Sequence, residues 1–388
     1  MARGRGGFIG QDGLNAPDSP TGISATAGDA QADVSFTAPT DVGASAITGY
    51  RAQSNDGIGA SGTSSPITVT GLSNGTSYTF NVWAINAFGY SAPSDASGSV
   101  SPLAAIAVIA LGQSSTANQQ GIDTFNISTT GNASDFGDLS ETRVNMGSAG
   151  GSNTRGMWAG GTNSGQKKDR IDYVTIQSAG NATDFGNLAA GNSSCSSLSN
   201  STRYITGGGN DPSTTNRIQY VTINTLGNTT DFGDLTSAKA EFFSTANSTR
   251  GLWFAEGSGG SDDIEYVTIA STGNATDFGN MTVSCESAAA LASSTRALHG
   301  GGSGDINNIG YVTIASTGNA TDFGDLTVGR TRIDGTSSST RGVFAGGYSS
   351  GVIDYVTIAS TGNATDFGDM TVNTQFTSAT SSAHGGLQ

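Results

Sequence analysis

Few residues in this chain carry chemistry beyond what a packed protein needs for itself. There are two histidines, His299 and His384, and two cysteines, Cys195 and Cys285. That is too few for a Cys/His zinc site unless carboxylates or other subunits contribute ligands. The cysteines fall in different stretches and read as ordinary free thiols. His299 lies in RALHGGG, where corresponding stretches carry Trp158, Thr206 or Phe344, so it reads as a filled strand position. No nucleophile, base and orienting acid form a set, and no GxxxxGK[ST] or GxGxxG context offers a phosphate cradle. The expectation is a protein that is not an enzyme and uses no cofactor or metal.

The triplet DFG could hold magnesium only beside a strand lysine and a catalytic loop, and neither accompanies it. It recurs six times, which reads as structure: Phe to pack, Gly to turn, Asp to bond the loop. Acid pairs such as Asp135 with Asp138, or Asp322 with Asp325, supply two carboxylates each and leave calcium as an open, weak alternative. Asn-x-Ser/Thr also recurs, at Asn132, Asn181, Asn274 and Asn363. It would suggest glycosylation in a secreted eukaryotic protein, but reads here as turn chemistry, with Asn side chains capping backbone groups.

What does differ from copy to copy is the loop before an Ile-x-Tyr stretch: GTNSGQKKDR, GGNDPSTTNR, GSGGSDD, GSGDINN and GYSSGV. Variable loops on a constant scaffold are where binding surfaces are built. The candidate ligand-binding residues are therefore Lys167, Lys168, Arg170, Arg217, Asp262 and Asp263.

These loops need a scaffold, and composition limits it. Of 388 residues 58 are Gly and only 12% are charged, which disfavours long helices laced with Glu and Lys and favours short strands joined by turns. Sixteen basic against 31 acidic residues give a net charge of −15, so the attraction that drives nucleic-acid binding is missing. No apolar run of 18 residues exists to span a membrane. The N-terminal MARGRGGFIGQDG has basic residues but no apolar stretch of a signal peptide after them.

The chain divides in three: an arm over residues 1–16, a β-rich stretch over 17–102, and a repeat over 103–388. In the second part, ADVSFTAP, AITGYRAQS, SPITVTGL and TSYTFNVWAINAFGYSAPS alternate apolar and polar residues, the pattern of a small sandwich. Pro20, Phe36, Pro39, Tyr50, Leu72 and Tyr78, followed by Phe80, Val82, Ala84 and Asn86 and then Gly89, Ser91 and Pro93, resemble a fibronectin type III domain. The resemblance implies that the Tyr78 hydroxyl bonds back to the backbone. Phe36 stands where that family usually has Trp.

The third part repeats GNxxDFGxx from Gly131, Gly180, Gly227, Gly273, Gly318 and Gly362, at spacings of 49, 47, 46, 45 and 44 residues. That range suits four-stranded propeller blades. Each unit reads as a polar stretch, an Arg-led apolar run, an alternating stretch such as IEYVTI, and the GNxxDFG element, giving four strands. The runs RGMWAGG, RYITGGG, RALHGGG and RGVFAGG resemble the double-glycine strand of kelch repeats in a divergent form. The region starts with a second strand, AAIAVIALGQ, and ends with a first one in VNTQFTSATSSAHGG, so the two ends can complete one blade and remove an exposed edge. The expected fold is all-β: a sandwich followed by a six-bladed propeller, with a seventh partial blade from AHGGLQ as the alternative.

A sandwich and a propeller without a secretion signal or disulfides suit a particle assembled in the bacterial cytoplasm and released by lysis. The whole chain resembles bacteriophage tail or capsid appendage proteins, including those of marine cyanophages. The resemblance implies a virion structural protein docked through residues 1–102 on other virion proteins. Its propeller would bind a host-surface glycan or protein, and further copies of the chain are candidate partners. The alternatives are a decoration or cementing protein without a receptor, and a bacterial surface glycan-binding protein.

Overall fold

Period-two alternation sets Ala32, Val34 and Phe36 on one face of the strand Gln31–Thr37, and Phe80, Val82 and Ala84 on one face of Phe80–Asn86. In the computed structural model, which describes residues 15–115, 117–254 and 261–387, both sets enter one core with Tyr50, Val69 and Leu72. The chain forms two compact units, Met1–Ala104 and Ala105–Gln388. Of the arm read over residues 1–16, all but Asn15 and Ala16 lie outside the described residues. Among the described residues no helix is long and apolar enough to cross a membrane.

The first unit is a pair of antiparallel sheets. One holds Thr21–Gly28, Gln31–Thr37 and Ile67–Thr70; the other holds Gly59–Gly62, Ile47–Ser54, Phe80–Asn86 and Gly89–Tyr90. Phe36 fills the core against Tyr50, ring centroids 4.7 Å apart. The Tyr78 hydroxyl accepts the backbone N–H of Ser73 at 3.0 Å, the corner bond expected for it. After Tyr90 the chain switches from period two to period three. The Oγ atoms of Ser91, Ser94 and Ser97 accept the N–H groups of Ala84, Val82 and Phe80 at 3.0, 2.9 and 3.0 Å. The backbone N–H groups of the same serines donate to the carbonyls of those three residues. Every third residue faces the sheet, as an extended three-residue repeat dictates, so a serine ladder covers an edge that a regular strand would otherwise occupy.

Among the described residues the second unit contains six antiparallel sheets of four or five strands and one two-stranded hairpin, Asn210–Asp211 with Ser213–Thr214. A representative one runs in chain order through Phe243–Ala246, Arg250–Phe254, Asp263–Thr268 and Thr276–Asn280. One sheet is composite: Ser378–Ser381 pairs with Ile106–Ala110, which continues to Gly121–Asn126 and Ser134–Asp138. Each sheet's first strand lies against the first strand of the next. The series runs from Gly150–Gly151 through Ser196–Ser199, Phe243–Ala246, Ala289–Ala292 and Asp334–Ser337 to Ser378–Ser381, which again neighbours Gly150–Gly151. No strand follows Ser381 among the described residues; the AHGGLQ stretch instead makes a single turn of 3-10 helix, Gly385–Leu387. His384, just before it, faces the Gly151 carbonyl at 3.1 Å.

The apolar clusters lie between neighbouring sheets: Ile205, Ile218 and Phe232 of one sheet pack with Trp253, Val267 and Ile269 of the next. This placement modifies a reading from the sequence. Alternation in IEYVTI suggests a strand with one wet face, yet Ile264 and Glu265 are both buried. Both faces of such a strand are covered by adjacent sheets, so its polar member needs an internal partner. Arg143 meets Asp172 and Arg330 meets Asp354, each at 2.6 Å, and Lys239 meets Glu265.

Candidate functional site

The repeated residues are occupied in joining one sheet to the next. Phe232 sits in a β-bulge, where Asp231 and Gly233 oppose the consecutive residues Gln219 and Ile218, and the bulge turns its ring into the inter-sheet core. Gly233 has φ +149°, and a Cβ there would lie 2.4 Å from the Gly273 carbonyl oxygen of the next unit. That approach lets the Gly273 N–H donate to the Phe232 carbonyl at 2.7 Å. Beside it, the Asp234 N–H donates to Asn274 Oδ1 at 3.1 Å. The same Asn bond recurs at Asp138–Asn181, Asn187–Asn228, Asn280–Asn319, Asp325–Asn363 and Asp369–Asn132. The recurrent Asn therefore caps a backbone group, but one belonging to the neighbouring sheet.

The arginine that opens the second strand of a repeat works similarly. Arg250 lies 4.8 Å over the Tyr266 ring, Tyr266 meets Phe278 edge to face at 5.8 Å, and Arg250 Nη1 donates to the Ile314 carbonyl of the next sheet at 2.7 Å. Arg155, Arg203, Arg296 and Arg341 repeat the contact, the last reaching Ile127 in the composite sheet. The composite sheet has Ile106 at this position and so lacks the arginine link.

The variable loops emerge at one end of the sheets, between the second and third strands. In antiparallel order this is also the end where the fourth strand leaves for the next sheet. Here six non-glycine residues, one per repeat, adopt positive φ: Asn145, Ser194, Glu241, Ser287, Arg332 and Phe376. Except at Asn145, whose residue type favours it, this is an uncommon conformation. The N–H groups of Ser194, Glu241, Ser287, Arg332 and Phe376 each donate to the carbonyl of the preceding member, at 2.7 to 3.1 Å. A small cavity of about 70 Å³ lies among these residues, with Asp334 in its wall. Burial pushes the Asp334 carboxyl up to about 7, against the lowering effect of the N–H groups of Ala379, Gly335 and Ala149.

Four of the six candidate binding residues group together. Lys167 Nζ donates to the Pro212 carbonyl at 2.7 Å, and Arg217 pairs with Asp211 at 2.7 Å in the same loop. Lys168 faces Glu141 at 3.4 Å, and Arg170 donates to Ser140 Oγ at 3.0 Å. Asp262 accepts from Asn280 Nδ2 at 2.7 Å, and the exposed Asp263 begins its strand one sheet further on. No described contact links either of those two to the basic group. The loop preceding them, residues 255–260, lies outside the described residues.

His299 is buried beside Phe243 and Phe254, and desolvation lowers its imidazole to about 4. Gly310 leaves it room, since a Cβ there would lie 2.3 Å from Nε2. Cys195 and Cys285 are both buried, and burial pushes the Cys195 thiol up to about 12. Among the described residues no group of three His, Cys, Asp or Glu side chains is placed to hold a metal. The positive-φ positions and Asp334 escaped the sequence reading. An alignment of the six repeats on DFG shows the former ten residues past each Asp, but residue types as different as Ser, Glu, Arg and Phe give no signal there.

The model of the fibronectin type III domain matches residues 18–99. A comparison with curated proteins returns no match. Together with the two-sheet core and the Tyr78 corner bond, the first result identifies residues 18–99 as a fibronectin type III domain.

Proposed function

We propose that residues 105–388 close into a six-bladed, divergent kelch-like β-propeller, and that the chain is a non-catalytic recognition protein of a bacteriophage particle. In this reading residues 1–102 dock on other virion proteins and the propeller presents its variable loops to a host-surface glycan. The cyclic order of first strands favours closure, as does the return of the last repeat to the first through Asp369 and Asn132.

One observation carries the functional reading. The residues that recur, the Arg–Tyr–Phe stacks and the Asn and Gly junctions, are spent on holding neighbouring sheets together. The second-to-third-strand loops, the positive-φ residues and a polar cleft described below are left to differ, and all share one end of the sheets. Ile106, where the chain enters its first strand of this unit, lies at the opposite end of its sheet. A scaffold held constant beneath a varied face is the arrangement of a binding surface, and multiple copies on one particle would strengthen weak single-site binding.

Two experiments test this. Negative-stain images of the purified chain should contain ring-shaped views with six-fold modulation. Gold-labelled antibodies to residues 105–388 should mark tails or fibres of purified particles, and the labelled chain should attach to host cells. Label spread evenly over the head without cell attachment would replace recognition by decoration.

A further inference from the structure

We propose that the cleft between the composite sheet and the sheet containing Arg341–Ala345 binds a neutral saccharide, with Tyr348 as stacking platform and Asn118 as hydrogen-bond donor. The proposal rests on the recognition reading and gives it a site and a ligand class.

The half-open cleft offers about 470 Å³ and is lined by Gln113, Asn118, Tyr348, Ser349 and Gln375 among others, a volume suited to a small ligand. Its floor is fixed by reciprocal backbone bonds between Gln113 and Gln375, both 2.9 Å. Across it runs a chain of side-chain amides. Arg332 Nη1 donates to Gln375 Oε1 at 2.8 Å, Gln375 Nε2 to Gln113 Oε1 at 3.0 Å, and Gln113 Nε2 to Asn118 Oδ1 at 3.0 Å.

The guanidinium sets the direction of this chain. Arginine can only donate, so Gln375 must present oxygen to it and nitrogen to Gln113, and each following amide is oriented in turn. The series ends at Asn118 Nδ2, whose two protons have no acceptor among the described residues. A ligand here must bring lone pairs, as hydroxyl and ring oxygens do.

Tyr348 supplies the second half of the site. It is 61% exposed, the highest value among the exposed large hydrophobic side chains of the described residues. Its ring is positioned by the Arg332 guanidinium, 5.7 Å from the centroid, while Phe376 lies 4.5 Å from the same guanidinium. An aromatic ring beside fixed amide donors matches the C–H face and hydroxyl edge of a pyranose, since such a ring offers apolar area at small entropic cost. Charge selects among saccharides. Arg332, the cation behind the amide chain, is already shared between an amide and two rings, and a net charge of −15 opposes polyanionic glycans. Among the described residues the amide chain is seen at this junction. At the position of Gln375 the other repeats carry Val144, Ser193, Ala240, Glu286 and Thr331.

The test uses the full chain and defined probes: neutral hexasaccharides of glucose, galactose, mannose and N-acetylglucosamine, and a hexuronate as the charged comparison. Titration calorimetry should register binding of at least one neutral probe. Tyr348→Ala and Asn118→Ala should each weaken it about tenfold or more with the melting temperature unchanged, while Leu226→Ser, at an exposed turn elsewhere, should leave it intact. Binding that survives Tyr348→Ala, hexuronate binding without neutral binding, or silence across the panel would each overturn the proposal. Attachment of the chain to host cells despite a silent panel would sink the cleft alone; loss of attachment as well would sink the recognition reading.

Discussion

The backbone N–H of Asp369 donates to Asn132 Oδ1 at 3.1 Å, across 237 residues of chain. It is the same bond that Asp234 makes with Asn274 only 40 residues away. Chemically identical junctions thus differ in the chain they close, and the long one ties the last repeat to the first.

Asn132→Ala and Asn274→Ala should each cost about 1 kcal/mol, the usual net value of one hydrogen bond. Only Asn132→Ala should raise amide exchange in Ile106–Ala110 and Ser378–Ser381, the strands of the composite sheet. Equal exchange in both variants would show that the composite sheet does not depend on this junction.

The buried pair Arg143–Asp172 predicts a marked asymmetry. Arg143→Met alone leaves a carboxylate buried without its cation and should cost about 3–5 kcal/mol, whereas Arg143→Met with Asp172→Leu should recover most of that loss. Denaturant midpoints of the two variants check it, and a double variant no better than the single one would contradict it.

Gly233→Ala places a methyl group against the next sheet's backbone at a φ of +149°. Neither the carbonyl nor the bulge can move without opening the junction, so a loss of roughly 3 kcal/mol or more is expected. Ala substitution of Gly227, whose Cβ would meet nothing within 4 Å, should cost less. A thermal melt of both variants ranks them.

Stability should fall on both sides of a narrow pH range. Asp334 is raised in the folded state to about 7, so its stabilising contribution is complete below the unfolded carboxyl value near 4 and is lost as pH rises through 7. His299 and His384 are lowered to about 4 by desolvation, so their contribution is present above about 6.5 and is lost as pH falls through 4. His299→Phe should flatten the acid limb and Asp334→Asn the neutral limb of melting temperature against pH. An unchanged profile in either variant would remove that residue as a cause.

The sandwich was readable because its core rests on period-two strands and on Tyr78, whose partner lies five residues away. The serine ladder was less visible, since Ser91, Ser94 and Ser97 repeat every third residue and match neither strand nor helix spacing. Among the proposed binding residues, loop variability led to Lys167, Lys168, Arg170 and Arg217, which the structure groups, and to Asp262 and Asp263, which it leaves apart.

By itself the sequence determined the local units: short strands alternating with turns, the spacing of the repeat, and which Phe and Gly recur in each copy. Those follow from side-chain period and backbone freedom within a few residues. Tertiary structure alone decided what the recurrent polar residues do. Asn132 caps Asp369, Arg341 reaches Ile127, and Gln113 meets Gln375 and Asn118 because neighbouring sheets bring together positions far apart in the chain. A hydrogen bond depends on distance and direction in space, and nothing in the spacing of Arg332, Gln375 and Asn118 along the chain fixes either.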